Sequence, residues 1–264
     1  MLILGGLRPL TVRSGIRRGI LALVALSLLS GCSWFRGRPE ILLPAGKLYE
    51  EGERLMARGR HDAARDRFTK IVERFPESDL APVSRFLIGE TYYRAQEYDR
   101  AAQEFESFVT LYPGHSIADL GQYRVARSSF DQMPTLERDQ NITARALGEF
   151  QKLIRLYPES RYAPDAIVKI EACRLRLAQK ELWVADYYVR RDNLQAALQR
   201  YDVILKDYAR TAAASEALYQ KADALMRLGR TDEAAVVLRR LVEEFPASEW
   251  SRRARQRQTL VTPP

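Results

Sequence analysis

Thiolate, imidazole and carboxylate groups are the side chains here that could do covalent, metal or acid–base chemistry, and their placement excludes most of it. The histidines are His61 and His115 and the cysteines Cys32 and Cys173. A metal centre or a nucleophilic triad needs such residues converging at specific spacing, and none of the four has a second His or Cys near it. Both histidines fall at turns between helical segments. Cys173 lies mid-helix, where it reads as a small buried apolar side chain. Acid pairs such as Glu50-Glu51 and Glu243-Glu244 read as solvated helix positions, and two cysteines in such different contexts build no disulfide framework. The sequence argues against an enzyme, a metal site and a dissociable cofactor.

One cysteine does have a chemical context. Arginines up to Arg18, an apolar run from Ile20 to Leu29 and the small residues Ser30 and Gly31 reproduce the three regions of a secretory signal over 1–31. The apolar run is about 10 residues, too short to span a bilayer as a helix. Leu29-Ser30-Gly31-Cys32 resembles the bacterial lipobox, in which the cysteine is lipidated and becomes the mature N-terminus. Acyl chains add about 0.8 kcal/mol per buried methylene, so several would anchor a soluble body to a membrane. Ser33 rather than Asp after the cysteine, by the same resemblance, implies export to the outer membrane. Residues 32–45, with Gly37, Pro39 and Pro44, read as a lipidated flexible tether.

The formal charge of +8 suggests nucleic acid only until it is located. Arg8, Arg13, Arg17 and Arg18 leave with the leader. Arg252, Arg253, Arg255 and Arg257 sit in the stretch 252–264, read as a basic tail. A nearly neutral body of mixed signs offers no stripe that would track phosphates, so nucleic acid is not expected as a partner.

The elements that must position any site are repeats. Phe75-Pro76, Tyr112-Pro113, Tyr157-Pro158 and Phe245-Pro246, with Tyr208-Ala209 as a degenerate member, each close a helical hairpin, because proline lacks an N–H and restricts the residue before it. The period is the tetratricopeptide one of about 34 residues. In the first unit Leu48, Gly52, Leu55, Gly59, Ala64, Phe68 and Ile71 stand in that register. The last repeats it with Leu218, Ala222, Leu225, Gly229, Ala234, Leu238 and Leu241. Such a unit cannot bury its own apolar face, so neighbours must stack. The expected fold is an all-α tetratricopeptide solenoid of about five hairpins, repeats one to three over 46–160 and repeats four and five over 161–251. An insertion around Asp131-Gln132-Met133-Pro134 makes a loop in repeat three. In repeat four the insertion is about 14 residues, close to four helical turns. It produces one long helix of about 25 residues between Arg161 and Arg191, in register with its own repeat and projecting past its neighbours.

The first helix of each hairpin has a second face, seven residues apart: Tyr49 and Met56, Phe86 and Tyr93, Tyr123 and Phe130, and in repeat five Tyr219 and Met226. In a solenoid this is usually the concave groove, and apolar surface there suits an extended polypeptide. The same rings could instead be extra core. Glu53, Glu90 and Arg127 interleave with them.

The ordered combination of lipobox, five repeats, loop and long helix resembles the BamD family of outer-membrane protein assembly lipoproteins. The segments carrying the likeness are Leu156-Tyr157-Pro158-Glu159-Ser160-Arg161-Tyr162-Ala163, Leu175-Arg176-Leu177-Ala178-Gln179-Lys180-Glu181 and Val184-Ala185-Asp186-Tyr187-Tyr188. The resemblance implies a non-enzymatic scaffold at the inner leaflet of the outer membrane, facing the periplasm. Its implied partners are the barrel subunit of the assembly machinery, other assembly lipoproteins and the targeting segment of unfolded barrel proteins. Arg200 matches a family position at the barrel-subunit contact. Arg191, with Tyr187 and Tyr188 at the exposed end of the long helix, is expected on the same surface. The repeats taken alone also fit a periplasmic adaptor that coordinates cell-wall or division enzymes.

If Cys32 carries the lipid, a Cys32→Ser chain leaves the outer-membrane fraction for the soluble fraction of the envelope. Retention at the membrane in a strain lacking the other assembly subunits would count against the lipobox.

Overall fold

The computed structural model describes residues 43–261, with side chains to residue 256. The leader and Cys32 lie outside these residues. From Ala45 on the chain is a single compact unit, built among the described residues from eleven helices in chain order. The five hairpins are α1 (Ala45–Ala57) with α2 (His61–Arg74), α3 (Leu80–Arg94) with α4 (Tyr98–Leu111), α5 (Ala118–Phe130) with α6 (Asn141–Leu156), α7 (Ala163–Arg190) with α8 (Leu194–Asp207), and α9 (Ala212–Arg227) with α10 (Thr231–Glu244). They are followed by α11 (Glu249–Val261). Each helix packs on the next, as the repeat reading requires.

The hairpin turns show why these residues form these elements. Four first helices end on a residue with positive φ: Gly59 at 71°, Gln96 at 62°, Asp192 at 59° and Gly229 at 75°. In each, that residue's N–H bonds the carbonyl three back, and the next N–H reaches five back, as in Arg60 to Leu55 at 3.0 Å and Asn193 to Tyr188 at 3.0 Å. This is the Schellman end of a helix, which glycine enters freely and Gln or Asp only at a steric cost. The second helices end on the aromatic residue. Phe75, Tyr112, Tyr157, Tyr208 and Phe245 each turn their N–H onto the carbonyl four back, at 2.8 to 3.0 Å.

Close packing inside a hairpin is set by one small residue. A methyl group on Gly52 would stand 2.6 Å from the Phe68 ring, and one on Gly89 2.7 Å from Phe105. Both rings are wholly buried. Ala126 with Phe150, Ala185 with Tyr201 and Ala222 with Leu238 are the corresponding buried pairs in later repeats.

Two expectations need correction. The stretch read as a basic tail from residue 252 belongs to α11, which begins at Glu249 and packs on the last hairpin. Ser251 and Ala254 are fully buried, the Ser251 hydroxyl donates to the Phe245 carbonyl at 2.7 Å, and Trp250 lies against Tyr219 with ring centroids 5.2 Å apart. A terminal repeat needs such a cover for its open apolar face. The long helix is 28 residues and packs at both ends rather than projecting free. Ala166 and Ile170 enter a core with Tyr123, Phe150 and Leu153, while Ala178 and Ala185 enter the core of the last two hairpins. Its middle is tied to the repeat-three loop, where the Lys180 ammonium donates to the Leu136 carbonyl at 2.7 Å.

Overpacking of this kind costs about 1–3 kcal/mol, so Gly89→Ala is expected to lower the urea midpoint. Gly148, exposed in α6 with nothing within 4 Å of the added methyl, is the control. There Ala gains up to about 1 kcal/mol of helix propensity. Equal effects at the two sites would mean that the ring contacts do not set the hairpin spacing.

Candidate functional site

The stripe on the first helices divides into two kinds of residue once burial is known. Phe86 is 6% exposed and packs on Phe105 and Phe108 at 5.2 and 5.6 Å. It belongs to the core and leaves the expected groove lining. Tyr123 is 9% exposed, stacked on Tyr162 at 4.9 Å, with its hydroxyl donating to Asp165 at 2.7 Å. Its ring is likewise core, and only its hydroxyl serves the face. The correction has a contact in each case: Phe86 is closed in by the phenylalanines of its own second helix, and Tyr123 by Tyr162 ahead of α7. Tyr49, the equivalent of Phe86 and Tyr123 in repeat one, is half-buried, as are Met56, Tyr93 and Phe130 seven residues further along each stripe. Tyr49 rests edge-on against Phe68 at 5.9 Å, Phe130 against Phe150 at 5.9 Å, and the Lys169 ammonium stands 4.8 Å over the Phe130 ring.

Between these rings runs a continuous polar chain through three repeats. Glu90 of α3, 6% exposed, is paired with Arg124 of α5 at 2.5 Å. The Arg124 guanidinium lies 5.0 Å over the Tyr93 ring. The Tyr93 hydroxyl donates to Asp131, which also accepts from Arg127 at 3.2 Å. Arg127 donates to the Tyr123 hydroxyl at 3.2 Å, and Tyr123 passes the chain to Asp165 on α7. Burial raises the Glu90 carboxyl above its ordinary range against the pull of Arg124. Burial first, and then the bond to Asp131, push Tyr93 up to about 12.

This arrangement holds and orients, and it does not react. The carboxylates of the chain are paired with arginine or tyrosine. Cys173 is wholly buried, and burial pushes its thiol up to about 11, far from a usable thiolate. His115 serves its own turn, accepting from the Ile117 N–H at 3.3 Å. Among the described residues no cluster of His, Cys, Asp and Glu could hold a metal ion. What the face offers is half-exposed aromatic and methionine surface set between fixed charges, the surface chemistry of polypeptide recognition.

The second expected site is less unified than the sequence suggested. Arg200, with 40% of its side chain exposed, donates to Glu181 on α7 at 3.2 Å. The Arg191 guanidinium lies 3.8 Å over the Tyr187 ring, and Tyr187 meets Tyr188 edge-on at 5.5 Å. Tyr188 is partly buried against the core. Glu181 and Arg191 are ten residues apart, about 15 Å along the chain at helical rise. Arg200 and the Arg191–Tyr187 pair are therefore separate features.

Arg124, Asp131, Asp165, Lys169 and Lys180 escaped the sequence reading. Glu90 and Arg124 stand 34 residues apart, about one helical turn short of the spacing that relates Tyr49, Phe86 and Tyr123, so matching equivalent positions would not have paired them. Arg127 and Asp131 are spaced as an i, i+4 pair. Lys180, which binds loop carbonyls, left no pattern.

Comparison with known proteins gives the family of the chain. Residues 43–237 match the YfiO family, described as "Outer membrane lipoprotein". The outer membrane protein assembly factor BamD of Rickettsia prowazekii is 28% identical over 230 residues, covering 87% of this chain and 92% of the relative. That of Vibrio cholerae is 29% identical over 222 residues, covering 80% and 91%. Among solved structures, the TPR2AB domain of yeast Sti1 in its pHSP90 complex matches at a TM-score of 0.41 and 15% identity, covering 76% of this chain and 78% of that one.

The raised phenol of Tyr93 gives a pH signature. Its folded value lies above the unfolded value of 10.0, so its contribution to stability is whole below pH 10 and is lost as pH rises through about 12. Tyrosinate absorbance, taken as the difference between wild type and Tyr93→Phe, should show this late ionisation, and Asp131→Asn should move it lower. An unmoved titration in Asp131→Asn would mean that the Tyr93–Asp131 bond is not made in solution.

Proposed function

Because the chain belongs to the YfiO family of outer membrane lipoproteins, we propose that it is a non-enzymatic scaffold of outer-membrane protein assembly, anchored by lipid on Cys32 and facing the periplasm. Assembly at the outer membrane is the role stated by the names of its relatives. In the finer reading, the half-exposed face of repeats one to three holds the C-terminal targeting segment of unfolded barrel proteins. Repeats four and five, through Arg200 and separately through Arg191 and Tyr187, meet the periplasmic domains of the barrel subunit. Other assembly lipoproteins join the same scaffold.

The observation that carries the groove reading is the alternation on that face. Tyr49, Met56, Tyr93 and Phe130 offer apolar surface at intervals, and the Arg124, Arg127 and Asp131 charges between them are already fixed by partners. An extended strand whose side chains alternate and whose end is aromatic finds apolar seats there without having to desolvate a lone charge. Arg200 supports the second contact because its guanidinium carries five donors and Glu181 uses one of them.

A double variant, Tyr93→Ala with Phe130→Ala, is expected to reduce photocrosslinking to a barrel C-terminal peptide on the order of tenfold, as loss of two aromatic anchors does at other interfaces. Circular dichroism on the same sample must remain that of the wild type. Unchanged crosslinking with the fold intact would remove this face from substrate binding.

A further inference from the structure

At the end of every second helix, the residue before the closing aromatic stands in solvent. Hairpins one, four and five place a charged side chain there, Arg74, Asp207 and Glu244, whereas hairpins two and three place Leu111 and Leu156. The first turns of α7 add Ile167 and Val168. All four aliphatic side chains are half exposed or more, so the core does not account for them. Solvated aliphatic groups are unfavourable in water, and a gathering of them marks a surface that meets something apolar.

Their place in the fold says what that is. Helices alternate in direction through the hairpins, so the second helices end, and the first helices begin, at one edge of the solenoid. Leu111 and Leu156 close α4 and α6, and Ile167 and Val168 lie near the start of α7. They therefore share an edge, and it is the edge at which α1 begins with Ala45. Cys32 stands about 13 residues before Ala45, a reach of at most about 45 Å. A chain held to a bilayer through Cys32 enters the solenoid here, so this edge meets the leaflet without the tether passing round the molecule. Arg155, beside Leu156, and Arg161, which lies 4.9 Å over the Tyr162 ring, are exposed at the same edge. Long cationic side chains reach lipid phosphates while their stems stay among apolar groups. Glu159, in the turn between them, is also exposed and offsets part of that charge, so apolar surface leads the contact.

We propose that this edge of hairpins two to four is a membrane contact, in which Leu111, Leu156, Ile167 and Val168 enter the interface of the leaflet that carries the lipid on Cys32. The tether keeps the edge at high local concentration near the bilayer, so a shallow apolar contact suffices to orient the solenoid. This contact rests on the lipid-anchored reading above and is independent of what the face of repeats one to three holds.

The test uses the full lipidated chain in vesicles of phosphatidylethanolamine and phosphatidylglycerol. An environment-sensitive fluorophore is attached at Leu156→Cys or, at the opposite edge, at Ile142→Cys, near the start of α6. Cys173 is wholly buried and a lipidated Cys32 has no free thiol, so the introduced cysteine takes the label. Interfacial apolar groups sit about 5–10 Å into the headgroup boundary, so nitroxide-bearing lipids should quench the Leu156→Cys label at least about twofold more than the Ile142→Cys label. Ile167→Asp with Val168→Asp should abolish that difference with circular dichroism unchanged. Equal quenching at the two positions would overturn the proposal. So would a Leu156→Cys label that leaves water only when the other assembly subunits are added, which would make the edge a protein contact. The mass of the purified chain shows separately whether Cys32 carries lipid. If it does not, cosedimentation of that chain with the same vesicles tests the edge alone: the wild type should sediment more than the Ile167→Asp, Val168→Asp variant, and equal sedimentation would overturn the contact.

Discussion

Everything in this solenoid depends on α7 belonging to two cores at once. Its N-terminal turns carry Ala166 and Ile170 into the core built with Tyr123 and Phe150, and its later turns carry Ala178 and Ala185 into the core of the last two hairpins. A helix of 28 residues spans about 42 Å at 1.5 Å per residue. Ordinary repeats exchange contacts only with neighbours and can flex at each interface. Here one rod is common to both sides of a boundary, so the orientation of repeats one to three relative to repeats four and five follows from the straightness of a helix. The Lys180 bond to the loop carbonyl of Leu136 braces the rod at the place where it passes from one core to the other.

That constraint gives the two faces their different characters. On the N-terminal side, first helices meet through matched charges and rings, and the polar chain from Glu90 to Asp165 pairs every carboxylate in it, leaving the Arg127 Nε buried without a partner. On the C-terminal side, Tyr201 replaces the phenylalanine used in repeats one to three, and its hydroxyl is buried without a hydrogen-bond partner. The same architectural position thus closes one part of the molecule and leaves another chemically demanding. A buried hydroxyl without a partner costs stability at that single residue.

Much of the fold was legible in the sequence because each repeat states its geometry locally. The aromatic residue before each proline marked the hairpin end, and Tyr208, which has no proline after it, still caps α8 through its N–H to Ile204 at 2.9 Å. The aromatic residue's backbone bond, shared by all five, is the common feature of these ends. Depth was not legible. Phe86 and Tyr93 lie on one stripe seven residues apart, yet only the first is covered, since periodicity gives a helix's face and not how far its neighbour overlaps it. Composition misled at the C-terminus, where arginines drew the eye from Trp250, Ser251 and Ala254, the residues that dock α11. The inter-repeat polar chain was hardly legible: Arg124 stands about one helical turn short of the position equivalent to Glu90, and Tyr93 reaches Asp131 only because the repeat-three turn places that carboxylate beside it.

The buried pair of Glu90 and Arg124 also bears on how such an array can change over generations. Repeat arrays ordinarily lengthen and shorten by recombination between similar units, since any copy can stack on any other. Excision of the second unit here would leave Arg124 facing α1, where Glu53 occupies the position of Glu90 but is exposed. Duplication would set a second Glu90 beside a helix that carries Leu87 in the place of the arginine. Duplication thus leaves a buried carboxylate without its counter-charge, whereas excision sets a glutamate opposite Arg124 again. Chemistry at this one joint therefore opposes lengthening the array there more than shortening it.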